Sequence, residues 1–270
     1  MKTMPGKVAL ITGSSQGIGK AISALLGKLG CKLIINGRTL SKLEVTYREL
    51  SSQGYDVLSV QADVRKPEDC KALIDKAVAH FGKLDILINN AGMSARGNFE
   101  EMDPIVFQNM VDVNLLGSVY PTRYAIPHLK VSRGSVVFIS SVAGIRGLPG
   151  NSMYCAAKMA LTALSESLKV ELADTGMHIG VVYVGVTEND KSKRVIDKDG
   201  TQIPLKPRAG RAAATPEEVA KSVVRNIKKR KFKTVLSRLG KLNYLANLLF
   251  PRLVDMILVR SKEKVNQMNQ

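Results

Sequence analysis

Short apolar runs alternate with longer helical patterns over the first 185 residues, and few folds accommodate that alternation. The runs lie at 7–11, 32–36, 57–61, 84–88, 135–139 and 179–184. They are rich in Val, Ile and Leu and bounded by glycine or polar residues, the mark of strands buried on both faces. Helical patterns fill 40–53, 67–81, a stretch opened by Asp103-Pro104, and 153–175. Strands separated by helices are joined by crossovers and run parallel. The expected class is α/β, a single doubly wound parallel sheet with helices on both faces. Right-handed crossovers bring every strand C-terminus to one edge, where ligands bind in such sheets.

The chemistry-bearing residues cluster after those strand ends. The first run is followed by Thr12-Gly13-Ser14-Ser15-Gln16-Gly17-Ile18-Gly19 and a helix to about Leu29. Strand, glycine turn and helix start together form a phosphate site: glycines let the backbone approach, and the helix offers unpaired N–H groups. The second run ends at Gly37-Arg38 with no acid. An acid there would bind a ribose 2′-hydroxyl, whereas an arginine holds a 2′-phosphate, so NADP(H) is expected over NAD(H). The plainer alternative is an arginine capping a loop. Asp63, before Val64, either accepts from an adenine amino group or caps the next helix. The fourth run delivers Asn89-Asn90-Ala91-Gly92, small residues that let a cofactor pack on the strand tips. Asn114, on a helix, either seats a water in a proton relay or bridges two elements.

Ser141 stands at the end of the fifth run. Tyr154 and Lys158 follow at helical spacing, so they share a face. A phenol loses its proton near pH ~10. Acid–base work near neutrality needs a neighbouring cation that favours the phenolate. Alone, the pair reads equally as a chance surface contact.

Taken together, Thr12-Gly13-x-x-x-Gly17-x-Gly19, Asn89-Asn90-Ala91-Gly92, Asn114, Ser141 and Tyr154-x-x-x-Lys158 resemble the classical short-chain dehydrogenase/reductase family, over roughly residues 5–236. The resemblance implies a Rossmann-type fold and an oxidoreductase interconverting a ketone and a secondary alcohol with NADP(H). Tyr154 would be the general acid/base. Lys158 would lower its pKa and hold the nicotinamide ribose, Ser141 would polarise the carbonyl, and Asn114 would seat the relay water. Cofactor contacts would fall on Gly13 to Gly19 (Ser14, Ser15, Gln16, Gly17 and Ile18 between them), Arg38, Asp63, Val64, Asn90, Ala91, Gly92, Tyr154, Lys158, Gly185, Val186 and Thr187. Val184-Gly185 stands where members usually carry Pro-Gly, which loosens that turn. A homodimer or homotetramer is implied, with the helices around 105–128 and 153–175 at the interface.

Residues 188–214 break the pattern. They are polar, basic and rich in Gly and Pro, and are expected to form a substrate lid within a catalytic domain spanning 1–237. Thr215-Pro216-Glu217-Glu218 is a capping box opening a helix to about Lys231, and 233–236 fits a last strand. The extension 238–270 is basic and apolar, with leucines from Leu239 to Leu258. It packs on the protein's own core, forms a dimer contact or substrate wall, or lies in a bilayer interface.

The net charge of +17 is concentrated late: across 205–241 the only acids are Glu217 and Glu218. Such a face suits an anionic membrane, an acidic carrier protein, a phosphorylated substrate or nucleic acid, or is simply a soluble basic surface. Aromatics do not interleave with the basic residues, which argues against nucleic acid. Three cysteines, far apart and with no CxxC, indicate neither a disulfide framework nor a zinc site, hence a reducing compartment. Residues 1–7 do not fit a signal peptide, so the cytoplasm is expected, with peripheral membrane contact as an option. The substrate expected from the extension is a lipophilic steroid, sphingoid or fatty-acyl carbonyl. The alternatives are a 3-oxoacyl-carrier-protein reductase and a non-catalytic membrane- or nucleic-acid-binding protein.

Overall fold

The computed structural model describes residues 4–188, 194–204, 213–236 and 238–260. The first half alternates strictly: β1 (Val8–Ile11), α1 (Gly17–Lys28), β2 (Lys32–Gly37), α2 (Leu40–Ser52), β3 (Val57–Gln61), α3 (Pro67–Phe81) and β4 (Ile86–Asn89). There follow α4 (Pro104–Val111), a π-helical turn over Asp112–Leu116, and α5 (Gly117–Ser132). Then come β5 (Ser135–Ser141), α6 (Ser152–Glu171) and β6 (His178–Val184). The chain ends with β7 (Arg194–Ile196), β8 (Gln202–Pro204), α7 (Pro216–Lys228), β9 (Lys233–Val235), α8 (Arg238–Leu249) and α9 (Pro251–Arg260).

Seven strands form one sheet in the order β3-β2-β1-β4-β5-β6-β9, every pair parallel. The order reverses between β1 and β4, which opens the crevice that α/β proteins use for ligands. Alternate residues of each central strand feed two cores. Ala9 and Ile11 enter the layer with Ile22, Leu26 and α7's Val223, while Val8 and Leu10 enter that of Leu73, Leu129 and Phe138. Each fully buried Val, Ile or Leu contributes about 1.5–3 kcal/mol, which is why the strands read as unbroken apolar runs.

Thr215 caps α7 as expected: its hydroxyl accepts from Glu218 N at 3.1 Å and Glu218 Oε2 accepts from Thr215 N at 3.0 Å. Two expectations change. The helix from Pro104 is not one α-helix, because a π turn interrupts it at Asn114. The described part of the 188–214 segment is not a loop but an antiparallel hairpin, β7–β8, attached to 94–103. There Ile196 N donates to Ser94 O, Arg96 N to Ile196 O and Asp103 N to Lys198 O. The rest of the expected lid, 189–193 and 205–212, lies outside the described residues.

Of the three readings open for the extension, packing on the core fits its described apolar side chains least. Leu242, Leu245, Leu248, Leu249 and Phe250 of α8 and its end, and Leu253, Met256, Ile257 and Val259 of α9, are all at least 49% exposed.

Candidate active site

At the reversal of strand order the glycine turn is held by side chains behind it. Thr12 Oγ1 accepts from Asn90 N and Ala91 N, both at 3.0 Å. Asn90 Nδ2 donates to the carbonyls of Thr12 and Gly13, both at 2.9 Å. Asn36 Nδ2 donates to Val60 O and Ala62 O, tying β2 to the end of β3. At Gly13 and Gly19 the turn leaves no space for a side chain. A Cβ at Gly13 (φ +61) would lie 2.8 Å from Ala91 Cα, and one at Gly19 would lie 2.5 Å from both Asn90 Nδ2 and Gly13 O.

In front of the turn is a cleft of about 320 Å³. Among its lining residues are Gly13, Ser15, Gln16, Gly17, Ile18, Gly19, Arg38, Asp63, Val64, Asn90, Ala91, Gly92 and Thr187. Thr39, Lys42, Met93, Val113 and Glu188, not expected from the sequence, line it as well. The glycine cradle with a helix N-terminus at its floor fits the pyrophosphate of a dinucleotide. Five expected contacts are not among its lining residues: Ser14, Tyr154, Lys158, Gly185 and Val186. Ser14 is fully buried, and its hydroxyl donates to Ile11 O at 2.8 Å while accepting from Asn36 N at 2.9 Å, so it staples β1 to β2. Val186 instead accepts from Ala214 N at 2.9 Å, a backbone clasp completed by Glu188 N to Ala214 O at 3.0 Å.

Asp63 does not cap α3. Its carboxylate accepts Arg65 N and receives the Arg65 guanidinium at 2.5–3.0 Å, while Asp69 accepts from Asp63 N at 2.8 Å. Burial alone would push this carboxyl up, but the Arg65 hydrogen bonds outweigh it and hold it below the usual carboxylate value. At the end of β2, Gln61 Nε2 fixes the Arg38 carbonyl at 2.9 Å. Lys42, one turn into α2, donates to Gln16 Oε1 at 3.3 Å. Two cations thus border the cleft beside the β2 tip.

Lys158 and Asn114 meet behind Gly92, itself a lining residue of the cleft, and Tyr154 stands one helical turn from Lys158. Lys158 is 5% exposed, and its Nζ donates to Ile139 O at 3.0 Å and sits 5.9 Å from the centre of the Tyr154 ring. One helical turn separates the two residues, as their spacing requires. The Ser140 hydroxyl donates to the Lys158 carbonyl at 3.1 Å, locking α6 to β5. Ser141 Oγ accepts from Ala143 N at 3.2 Å, leaving its own hydrogen for another acceptor. Asn114 is fully buried. Its Nδ2 donates to Met93 O at 3.0 Å and Met110 O at 3.1 Å, and its Oδ1 accepts from Met93 N at 3.2 Å. The side chain therefore bridges the segment after β4 to the π turn. A Cβ at Gly92 would come within 3.0 Å of Asn114 Oδ1 and 3.4 Å of Lys158 Nζ, which shows how closely the three meet.

Tyr154 also borders an apolar cluster of Ala95, Met102, Val106, Met110 and Ile196, with Met93, Phe107 and Met153 at its margin.

The model of the short chain dehydrogenase family matches residues 7–200. The chain is 35% identical over 264 residues to 11-beta-hydroxysteroid dehydrogenase 1A of Arabidopsis thaliana, covering 93% of this chain and 74% of the relative. An uncharacterised oxidoreductase of Staphylococcus saprophyticus is 34% identical over 206 residues, 75% of this chain and 82% of that one. Among solved structures, the alcohol dehydrogenase of the archaeon Thermococcus sibiricus, complexed with 5-hydroxy-NADP, superposes with a TM-score of 0.74 at 28% identity, over 85% of this chain and 95% of that one. A short-chain dehydrogenase/reductase from Burkholderia phymatum, in complex with NAD, shares the fold with a TM-score of 0.78 at 24% identity, over 94% of each chain. With these likenesses added to the glycine-turn cleft, the chain belongs to the short-chain dehydrogenase family of oxidoreductases.

Proposed function

We propose that this protein is an NADP(H)-dependent oxidoreductase that interconverts a lipophilic ketone and its secondary alcohol. The observation that carries the reading is the ammonium of Lys158, buried one helical turn from Tyr154 and close behind Gly92 of the cleft. When bound, the dinucleotide supplies or accepts the hydride. The protein's own part is proton placement and orientation. In the reductive direction the Tyr154 hydroxyl gives its proton to the substrate oxygen. Lys158 stabilises the phenolate left behind, and the Ser141 hydroxyl donates to the same oxygen. Asn114 acts as a positioning residue, holding Met93 and the strand tip against Lys158.

The preference for the 2′-phosphate is supported by Arg38 and Lys42 at the β2 tip and by the neutralisation of Asp63 by Arg65. A charge-assisted contact to phosphate is worth roughly 1.5–3 kcal/mol, so Arg38→Ala should weaken NADPH binding at least about tenfold and leave NADH binding nearly unchanged. The apolar cluster beside Tyr154 supports a lipophilic substrate, in keeping with the hydroxysteroid dehydrogenase names of the plant relatives. NADPH oxidation across a panel of steroid, sphingoid and short polar ketones tests the whole reading. Turnover with the lipophilic ketones and NADPH supports it, while turnover only with NADH or only with polar ketones would count against it.

A further inference from the structure

We infer that α8 and α9 form an interfacial anchor that seats this protein on an anionic phospholipid bilayer. An amphipathic helix on a soluble domain turns its apolar stripe inward. Here the stripes face out. Leu242, Leu245 and Leu249 recur at helical spacing along α8, and Leu253, Met256 and Ile257 along α9, and all six are exposed. Large apolar side chains exposed together in this way mark an interaction site.

Charge decides the occupant. Between Glu218 and Glu263 the sequence carries a single acid, Asp255. That acid is paired with Arg146, so its negative charge is offset within the protein. Lys241, Arg252 and Arg260 are exposed on the same two helices. A second copy docked here would bring these cations against their own equivalents, a costly like-charge juxtaposition. Anionic headgroups complement them while the acyl region accepts the leucines. The geometry suits a helix pair lying in the interface rather than a span. Among the described residues no single helix is long and apolar enough to cross a membrane, and the pair bends by 116° at the break before Pro251.

The pair is fixed to the catalytic end of the molecule. Arg146 lies in the loop between Ser141 and Tyr154, so its ion pair with Asp255 ties α9 to that loop. On α8, the Tyr244 ring lies 6.3 Å from that of Tyr183, whose hydroxyl bonds Thr162 of α6 at 3.0 Å. A bilayer bound by the helices would lie beside the loop that bears the site.

The inference does not depend on the cofactor reading, and its test uses no turnover. The full-length protein is sedimented with vesicles of phosphatidylcholine alone and of phosphatidylcholine mixed with phosphatidylglycerol. The wild type should pellet with the mixed vesicles, and more weakly as salt is raised. Leu245→Glu/Leu249→Glu/Leu253→Glu should cut partitioning at least about tenfold while keeping the thermal midpoint, since all three sites are exposed. Lys241→Gln/Arg252→Gln should reduce binding and its salt dependence. Failure of the wild type to pellet with either vesicle would overturn the inference, as would a triple variant that pellets like wild type. A lipid-free wild-type dimer that the triple variant converts to monomer would overturn it too, assigning the face to a second copy.

Discussion

The cleft edge of the sheet and the C-terminal helix pair use similar residues to opposite ends. At the cleft, apolar side chains are buried and polar ones are spent on backbone: Thr12, Ser14, Asn36, Asn90 and Asn114 each hold a main-chain group of another segment. In α8 and α9, apolar side chains meet solvent. The first arrangement ties the strand tips to one another. The second contributes little to the fold and leaves surface for something else to cover. Position in the layer, not residue type, decides which role a leucine takes.

That contrast can be broken or sharpened by substitution. The largest effect is expected at Lys158. Lys158→Met should lower turnover by roughly 10³-fold and weaken cofactor binding, measured by steady-state kinetics and cofactor titration. Leu10→Ala, in the fully buried centre of β1, should cost about 3 kcal/mol in denaturant unfolding.

A smaller effect is expected at Asp85. This carboxylate is buried; it accepts from Lys7 Nζ at 2.6 Å and Val8 N at 2.9 Å and lies 3.1 Å from Lys83 Nζ. Burial pushes the Asp85 carboxyl up, but these partners more than offset that and hold it below its ordinary value. A depressed folded pKa means the stabilisation is present above the unfolded-state value and is lost as pH falls through the folded one. Asp85→Asn should therefore cost about 2 kcal/mol near neutrality, and the gap to wild type should close at acid pH. The smallest effect is expected at Leu248, 67% exposed: Leu248→Ala should change stability by no more than about 0.5 kcal/mol. Equal costs at Leu10 and Leu248 would break the contrast.

Much of this was legible in the chain itself. Buried parallel strands announce themselves as apolar runs, and the glycines at 13 and 19 are there because no Cβ fits. The Thr215 capping box is local chemistry, and the structure has it where the residues indicated. What escaped the sequence depends on partners far along the chain or on single-residue geometry. The π turn at Asn114 changes the hydrogen-bonding pattern without altering composition. Ser14 lies in the glycine motif, yet its hydroxyl turns inward to β1 and β2. Asp63 had the type of a helix cap, but Arg65, two residues on, took the carboxylate. Lys42 belongs to a polar helix face, and only folding brings it to Gln16. The leucine stripes of α8 and α9 show a helical period, and a period does not say which side is dry.

The most direct test is Tyr154→Phe, which removes one hydroxyl and leaves the ring beside Lys158. The account predicts that NADPH still binds with near wild-type affinity, read by fluorescence titration, while ketone-dependent NADPH oxidation falls by at least about a hundredfold. Turnover within a few fold of wild type in a variant that binds NADPH normally would contradict it.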